Sequence, residues 1–316
     1  MRASCRREGI GEATAPHGRK LGEGMRVNKA IELLEQRQPV YFEFTEAATA
    51  GDYEGGRAAA QTWADYIAYD MEHSAFDVRG LMQFMRGLVD GGPTRSGHRT
   101  PAVIVTLPVE GTDEQAVRTN AWMIKQVLAT GVHGLLLVHA ESVAAVRAFV
   151  EISRYAFTSS VGLELGPGRR GHGGQNHAAQ VWGLSIDEYF MRADPWPLNP
   201  RGELLLGLKI ENVRALANAE RTTRVPGLAF AEWGPGDMGM SMGYPDQHDE
   251  PWPPEMQAAR TRVIGACKAA GLYFLEQVTP ENVTTRIEEG VTIGCGPQAR
   301  EAAEIARKHT GRKLPW

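Results

Sequence analysis

The stretches AVIVTL (102–107) and GLLLVH (134–139), with EQAVRTNAWMIKQVLAT (114–130) between them, decide the fold. Each flanking run is too short for a helix. Its unbroken Val, Leu and Ile suit a strand covered on both faces. The segment between them carries apolar residues at helical spacing. Six further runs repeat the strand signal: 40–45, 66–71, 204–210, 227–232, 272–278 and 291–295. Helical patterns lie at 77–88, 142–155, 254–270, 280–289 and 297–309. Strand–helix alternation through eight strands predicts a (β/α)₈ TIM barrel. An open doubly wound sheet alternates similarly, but no GxGxxG follows the first strand. Residues 156–203, between the fourth and fifth strands, exceed a simple connector. They carry GPGRRGHGGQNH (166–177) and DPWPLNPRG (194–202), and an insertion of that kind is expected to shape a binding mouth.

The whole chain of 316 residues fits one large domain. Apolar residues at 42% supply a sizeable core, and a net charge of −4 gives no footprint for nucleic acid or an acidic membrane. No apolar run approaches the ~20 residues of a membrane span. Cys5, Cys267 and Cys295 form neither a CxxC pair nor a disulfide framework, as expected of a cytoplasmic protein. Residues 1–25 are basic and Gly-rich without an apolar h-region. They read as a disordered extension before a single domain at 26–316, and a start codon assigned too early explains them equally well.

Barrel chemistry gathers at the C-terminal ends of strands. There the sequence places Asp70-Met71-Glu72-His73, His139 and Glu141, Lys209-Ile210-Glu211, and Glu232-Trp233-Gly234-Pro235-Gly236-Asp237. An acid after a strand is often only the cap of the next helix. Four such ends on one rim weigh against that reading throughout. Glu211 and Asp237, from adjacent strands and with no cysteine or HxH nearby, suit a hard cation, Mg²⁺ or Mn²⁺. The Gly234-Pro235-Gly236 turn offers backbone N–H groups to a substrate carboxylate.

The motifs DMEH (70–73), KIE (209–211) and WGPGDMGMSMG (233–243), with ISRYAF (152–157) and the RRGHGG loop, resemble those of the HpcH/HpaI aldolase/citrate lyase family, over roughly residues 26–309. The resemblance implies a barrel, carboxylate metal ligands at Glu211 and Asp237, a catalytic histidine at His73 and a homo-oligomer, usually a hexamer. It implies cleavage of a 4-hydroxy-2-oxo acid to pyruvate and an aldehyde through a metal-bound enolate, with His73 moving the hydroxyl proton and Asp70 or Glu72 orienting it. The alternatives are oxaloacetate decarboxylation, a CoA-ester lyase of the citryl or malyl type, whose motifs fit less well, and a non-catalytic metal and oxo-acid binder.

Two family features are missing. The third strand ends in Thr106 where an arginine is usual, and Ala129 stands where an aspartate pairs with the histidine. Lys209 is the candidate replacement cation, because it shares a strand face with Glu211. Arg95 and Arg99 precede the third strand, at the wrong end. His139 is a substrate-binding candidate, and Arg169, Arg170, His172 and His177 in the insertion are weaker ones. Trp182, Trp196, Trp233 and Trp252 are expected either to wall the mouth against a larger aldehyde or to pack the insertion onto the barrel.

Overall fold

A computed structural model describes residues 25–45 and 52–315. The expected extension at 1–25 lies, apart from Met25, outside the described residues. Eight parallel strands close a ring: β1 (Val40–Phe44), β2 (Tyr66–Asp70), β3 (Ala102–Glu110), β4 (Gly134–Val138), β5 (Leu204–Lys209), β6 (Phe230–Glu232), β7 (Tyr273–Gln277) and β8 (Val291–Cys295). Closure runs through Val40 opposite Ile293 and Gly134 opposite Leu205. The fold is a (β/α)₈ barrel, and each strand falls within its expected segment, with β3 running three residues further. The two-residue strand Pro195–Trp196 adds pairing beside Leu204 and Leu205.

Alternate positions of each strand point inward. Phe42, Tyr66, Ala68, Ile104, Leu136, Leu205, Phe230, Leu275 and Ile293 therefore fill the barrel as one buried cluster. Gly207 faces Phe230 across the β5–β6 pairing. A Cβ there would lie 2.2 Å from the Phe230 ring, so the ring occupies the space a side chain would need. The opposite strand faces, with Leu135, Leu137, Leu206 and Leu208, pack against the surrounding helices, including Val78–Gly91, Val143–Ser153, Pro254–Ala270 and Ala299–His309.

A short helix, Lys29–Glu35, plugs the N-terminal opening with Ala30, Ile31, Leu33 and Leu34. Its cap Asn28 accepts from the N–H groups of Ala30 (3.0 Å) and Ile31 (3.4 Å), a contribution of about 1 kcal/mol. Beside it, buried Asp65 joins Lys29 (3.2 Å), Arg307 (3.2 Å) and Arg312 (2.6 Å), and accepts from the Tyr41 N–H (3.0 Å). This cluster fastens the first helix and the last described turn to one carboxylate.

The insertion corrects one expectation. A helix returning from a barrel strand delivers the chain to the N-terminal end of the next strand, so a segment between Val143–Ser153 and β5 hangs at the closed end. Trp182 is fully buried, and its Nε1 donates to the Gly131 carbonyl at 2.8 Å. Arg99 donates to Val181 at 3.1 Å, and Trp196 stacks on Tyr273, the first residue of β7. Gly131 and Arg99 both precede strands. Trp182 and Trp196 thus pack the insertion against the barrel and do not line its mouth. Arg170 lies buried over the Tyr155 ring at 4.2 Å, His172 meets Gln175 within the loop, and Arg169 is exposed.

Candidate active site

At the open end the inward positions turn polar. Thr106 on β3, Lys209 on β5 and Glu232 on β6 continue the same faces that carry Ile104, Leu205 and Phe230 below them. Glu211 follows β5 and is fully buried.

Asp70 ends β2 and shapes the turn after it. One carboxylate oxygen accepts from the N–H groups of Glu72 (2.8 Å) and His73 (3.2 Å), and Ser74 donates to the Asp70 carbonyl. The other oxygen lies 3.0 Å from Nδ1 of His73. A carboxylate on Nδ1 fixes that proton and leaves Nε2 to face a substrate. Partial burial works against the imidazolium, but the Asp70 hydrogen bond and the Glu72 and Asp70 charges outweigh it and raise the His73 pKa.

Lys209 reaches across the mouth. Its Nζ stands 2.7 Å from Oε2 of Glu72 and 2.9 Å from Oε2 of Glu211. Burial favours the neutral amine, yet the charges of Glu232, Glu211 and Glu72 prevail and hold the pKa far above the ordinary lysine value. The acids respond oppositely. Burial raises the Glu211 pKa against the pull of Lys209, and Glu232 rises to about 7 through burial plus repulsion from Glu211, Glu72 and Asp237.

His139, one residue past β4, holds a left-handed backbone (φ 46°), which costs on the order of 1–3 kcal/mol in a non-glycine residue. The turn is fixed from two sides. Its N–H donates to Oε1 of Glu211 at 3.1 Å, and Asn212 Nδ2 lies 3.3 Å from its Nδ1. Asn212 also donates to Glu141 (3.0 Å), which accepts from Arg214 (2.8 Å) and, through its carbonyl, from Asn218 (2.9 Å). Sequence reasoning missed Asn212 and Arg214 and left Glu232 out of the site. Inward parity with Lys209 and Phe230 is the signal for Glu232, whereas Asn212 carries none beyond its place after Glu211.

After β6 the expected substrate residues divide. Trp233 points outward, away from Glu232, and is buried edge-to-face against Trp252 with ring centroids 5.2 Å apart. It supports the wall from behind and does not touch the mouth, a correction that follows from strand alternation. Gly234 packs directly on Glu211. A Cβ there would lie 2.8 Å from Oε2. Pro235 opens the helix Pro235–Met242, and Gly236 and Asp237 follow in its first turn, all three partly buried.

Among the described residues, two sets of ligand atoms converge: Asp70, Glu72 and His73; and Glu72, His139 and Glu211. Asp237 belongs to neither, although its charge reaches Glu232. The donor chemistry fits a divalent cation. Glu72 and Glu211 contact a single ammonium that the charge of Glu232 also reaches, and buried Oε2 of Glu211 has no other polar partner among the described residues. Excess buried negative charge of this kind calls for a cation.

The HpcH/HpaI aldolase/citrate lyase family model matches residues 57–294. The chain is 28% identical over 223 residues to a hydroxypyruvate/pyruvate aldolase of Pseudomonas aeruginosa, covering 69% of each chain. It is 27% identical over 237 residues to a 2-keto-3-deoxy-L-rhamnonate aldolase of Klebsiella pneumoniae, covering 75% of this chain and 76% of that one. A solved HpcH/HpaI aldolase/citrate lyase family protein from Burkholderia cenocepacia superposes with a TM-score of 0.64 at 21% identity, covering 88% of this chain and 97% of the other. With motifs, barrel and family match in agreement, the chain belongs to the HpcH/HpaI aldolase/citrate lyase family.

Proposed function

We propose that this carbon–carbon lyase cleaves a 4-hydroxy-2-oxo acid to pyruvate and an aldehyde, and condenses them in reverse, with Mg²⁺ or Mn²⁺ as cofactor. The observation carrying the reading is the acid cluster at the mouth, where Glu72 and Glu211 share one ammonium that the charge of Glu232 also reaches, and where Oε2 of Glu211 is met by that ammonium alone among the described residues. The aldolase names of the relatives support it.

A divalent cation, when bound, supplies Lewis-acid stabilisation of the charge that collects on the oxo acid as its carbon–carbon bond breaks. Glu211 is the principal ligand, with His139 beside it and Asp237 offered from the first turn of Pro235–Met242, while Glu72 stays the ion-pair partner of Lys209. His73 accepts the proton of the 4-hydroxyl, its ring held by Asp70. Lys209 presents a second positive charge, in the role left vacant by Thr106. The first-turn N–H groups after Gly234 receive the substrate carboxylate.

The chain is expected to work as a homo-oligomer in the cytoplasm. The described cysteines, Cys267 and Cys295, are unpaired and buried, and no helix among the described residues is long and apolar enough to cross a membrane.

The test is pyruvate release from a panel of 4-hydroxy-2-oxo acids by protein stripped with EDTA and then reloaded with Mg²⁺ or Mn²⁺. Metal-restored release supports the proposal. Turnover of oxaloacetate alone assigns decarboxylation instead, and pyruvate binding without any turnover assigns a sensor.

A further inference from the structure

The contact between Lys209 and Glu211 falls on the atom a cation needs most. Oε1 of Glu211 is engaged by the His139 N–H at 3.1 Å, while Oε2 lies buried, with Gly234 packed closely against it and the Lys209 ammonium as its one polar contact among the described residues. Oε2 is also the atom that Lys209 approaches, at 2.9 Å. A Mg²⁺ ion sits ~2.1 Å from a ligand oxygen. An ammonium still in contact with the same oxygen would face it with like charge and little screening. Lys209 has elsewhere to go. It already contacts Glu72 at 2.7 Å, and Glu232 exerts the largest favourable charge on it. Its four-carbon stem lets the ammonium move while the strand stays fixed.

We propose that Lys209 gates the cation site: in the metal-free chain its ammonium caps Oε2 of Glu211, and an entering divalent cation drives it across to Glu72 and Glu232, where it is released to meet the oxo acid. This rests on the metal-dependent reading above. It adds an order of events, cation first and oxo acid second, and makes Lys209 an internal competitor that sets metal affinity. A glutamine at this position would leave Oε2 uncapped, and an arginine would keep the charge.

The test is Mn²⁺ binding, read from the free-ion electron paramagnetic resonance signal, to the wild-type protein, Lys209→Gln and Lys209→Arg, without substrate. Relief of like-charge competition should tighten binding by at least ~10-fold in Lys209→Gln and leave Lys209→Arg near wild type. Equal or weaker binding by Lys209→Gln overturns the gate while leaving the metal site standing. Absence of Mn²⁺ binding in all three proteins overturns the metal reading and the gate with it. If Lys209→Gln does not fold, a crystal structure of the wild-type protein with Mg²⁺ decides. The gate requires the Lys209 ammonium to lie beyond the ~4 Å ion-pair limit from Glu211 and beside Glu72 or Glu232. An ammonium still on Glu211 with Mg²⁺ bound overturns it.

Discussion

Lys209 and Glu72 lie 137 residues apart in the chain and meet at 2.7 Å across the barrel mouth. A buried ammonium among three carboxylates stays protonated and is a poor nucleophile. Borohydride with pyruvate should therefore leave the protein mass unchanged, and a stable adduct on Lys209 would mean Schiff-base chemistry. Lys209→Met should lower kcat by ~100-fold or more, since a cation aimed at developing charge is worth several kcal/mol. Adding Thr106→Arg should restore part of the loss.

His73→Ala should lower kcat by roughly 10²–10⁴, the usual contribution of a general acid or base, with Mn²⁺ affinity nearly unchanged. The side chain is mostly exposed, so the fold should tolerate the change. A loss smaller than about threefold, measured under saturating metal, returns His73 to a merely structural role.

Glu211→Ala and Asp237→Ala separate the two carboxylates that the motifs single out. The Glu211 variant should lose metal binding and turnover together, because it removes the one fully buried carboxylate of the site. Asp237 stands further out, and its variant should bind Mn²⁺ more weakly yet detectably. Equal loss in both, by calorimetric titration, would place the cation between them.

Gly234→Ala tests close packing at the site. The new methyl would sit 2.8 Å from Oε2 of Glu211 and 3.0 Å from its Cβ, so the carboxylate must shift. Metal affinity should fall by roughly 10–100-fold, as when a supporting contact of a ligand is lost. The melting temperature should change far less than the affinity. An unchanged Mn²⁺ titration would show that Glu211 relaxes freely.

Asp65 governs acid stability at the closed end. Burial raises its pKa, but Lys29, Arg307 and Arg312 more than reverse this and leave it well below the ordinary carboxylate range. Stability from a depressed carboxyl is complete above its unfolded value near ~3.9 and drains away as pH falls towards the native one. Asp65→Asn should cost ~3–5 kcal/mol near neutrality, because it strands buried cations. It should also flatten the acid dependence of the urea midpoint. A variant with unchanged acid dependence would remove Asp65 from the explanation.

The barrel was legible because eight short apolar runs, such as AVIVTL and GLLLVH, alternate with helical patterns, and no GxGxxG after the first strand spoke for the open doubly wound sheet that alternates in the same way. Parity carried part of the site as well. Lys209 stands on an inward face two positions before Glu211, as alternation requires. The same rule, applied to Glu232 and Trp233, would have exchanged their roles. The insertion was misjudged because its length was read without asking which end of the barrel a returning helix reaches. Asn212 was illegible, since its importance comes from reaching His139 and Glu141, which lie more than 70 residues earlier and come beside it only through β4 and β5 pairing.

The Asp65 cluster makes the described fold nearly circular. Lys29 and Arg312 share a carboxylate, so the two extremities of the described fold are already neighbours. A short linker joining residue 315 to residue 25 would ask for little movement. New termini could then be opened within the insertion, on the side away from the mouth. Such a rearranged chain should keep its strand order around the ring and its cation site, because neither depends on where the polypeptide begins.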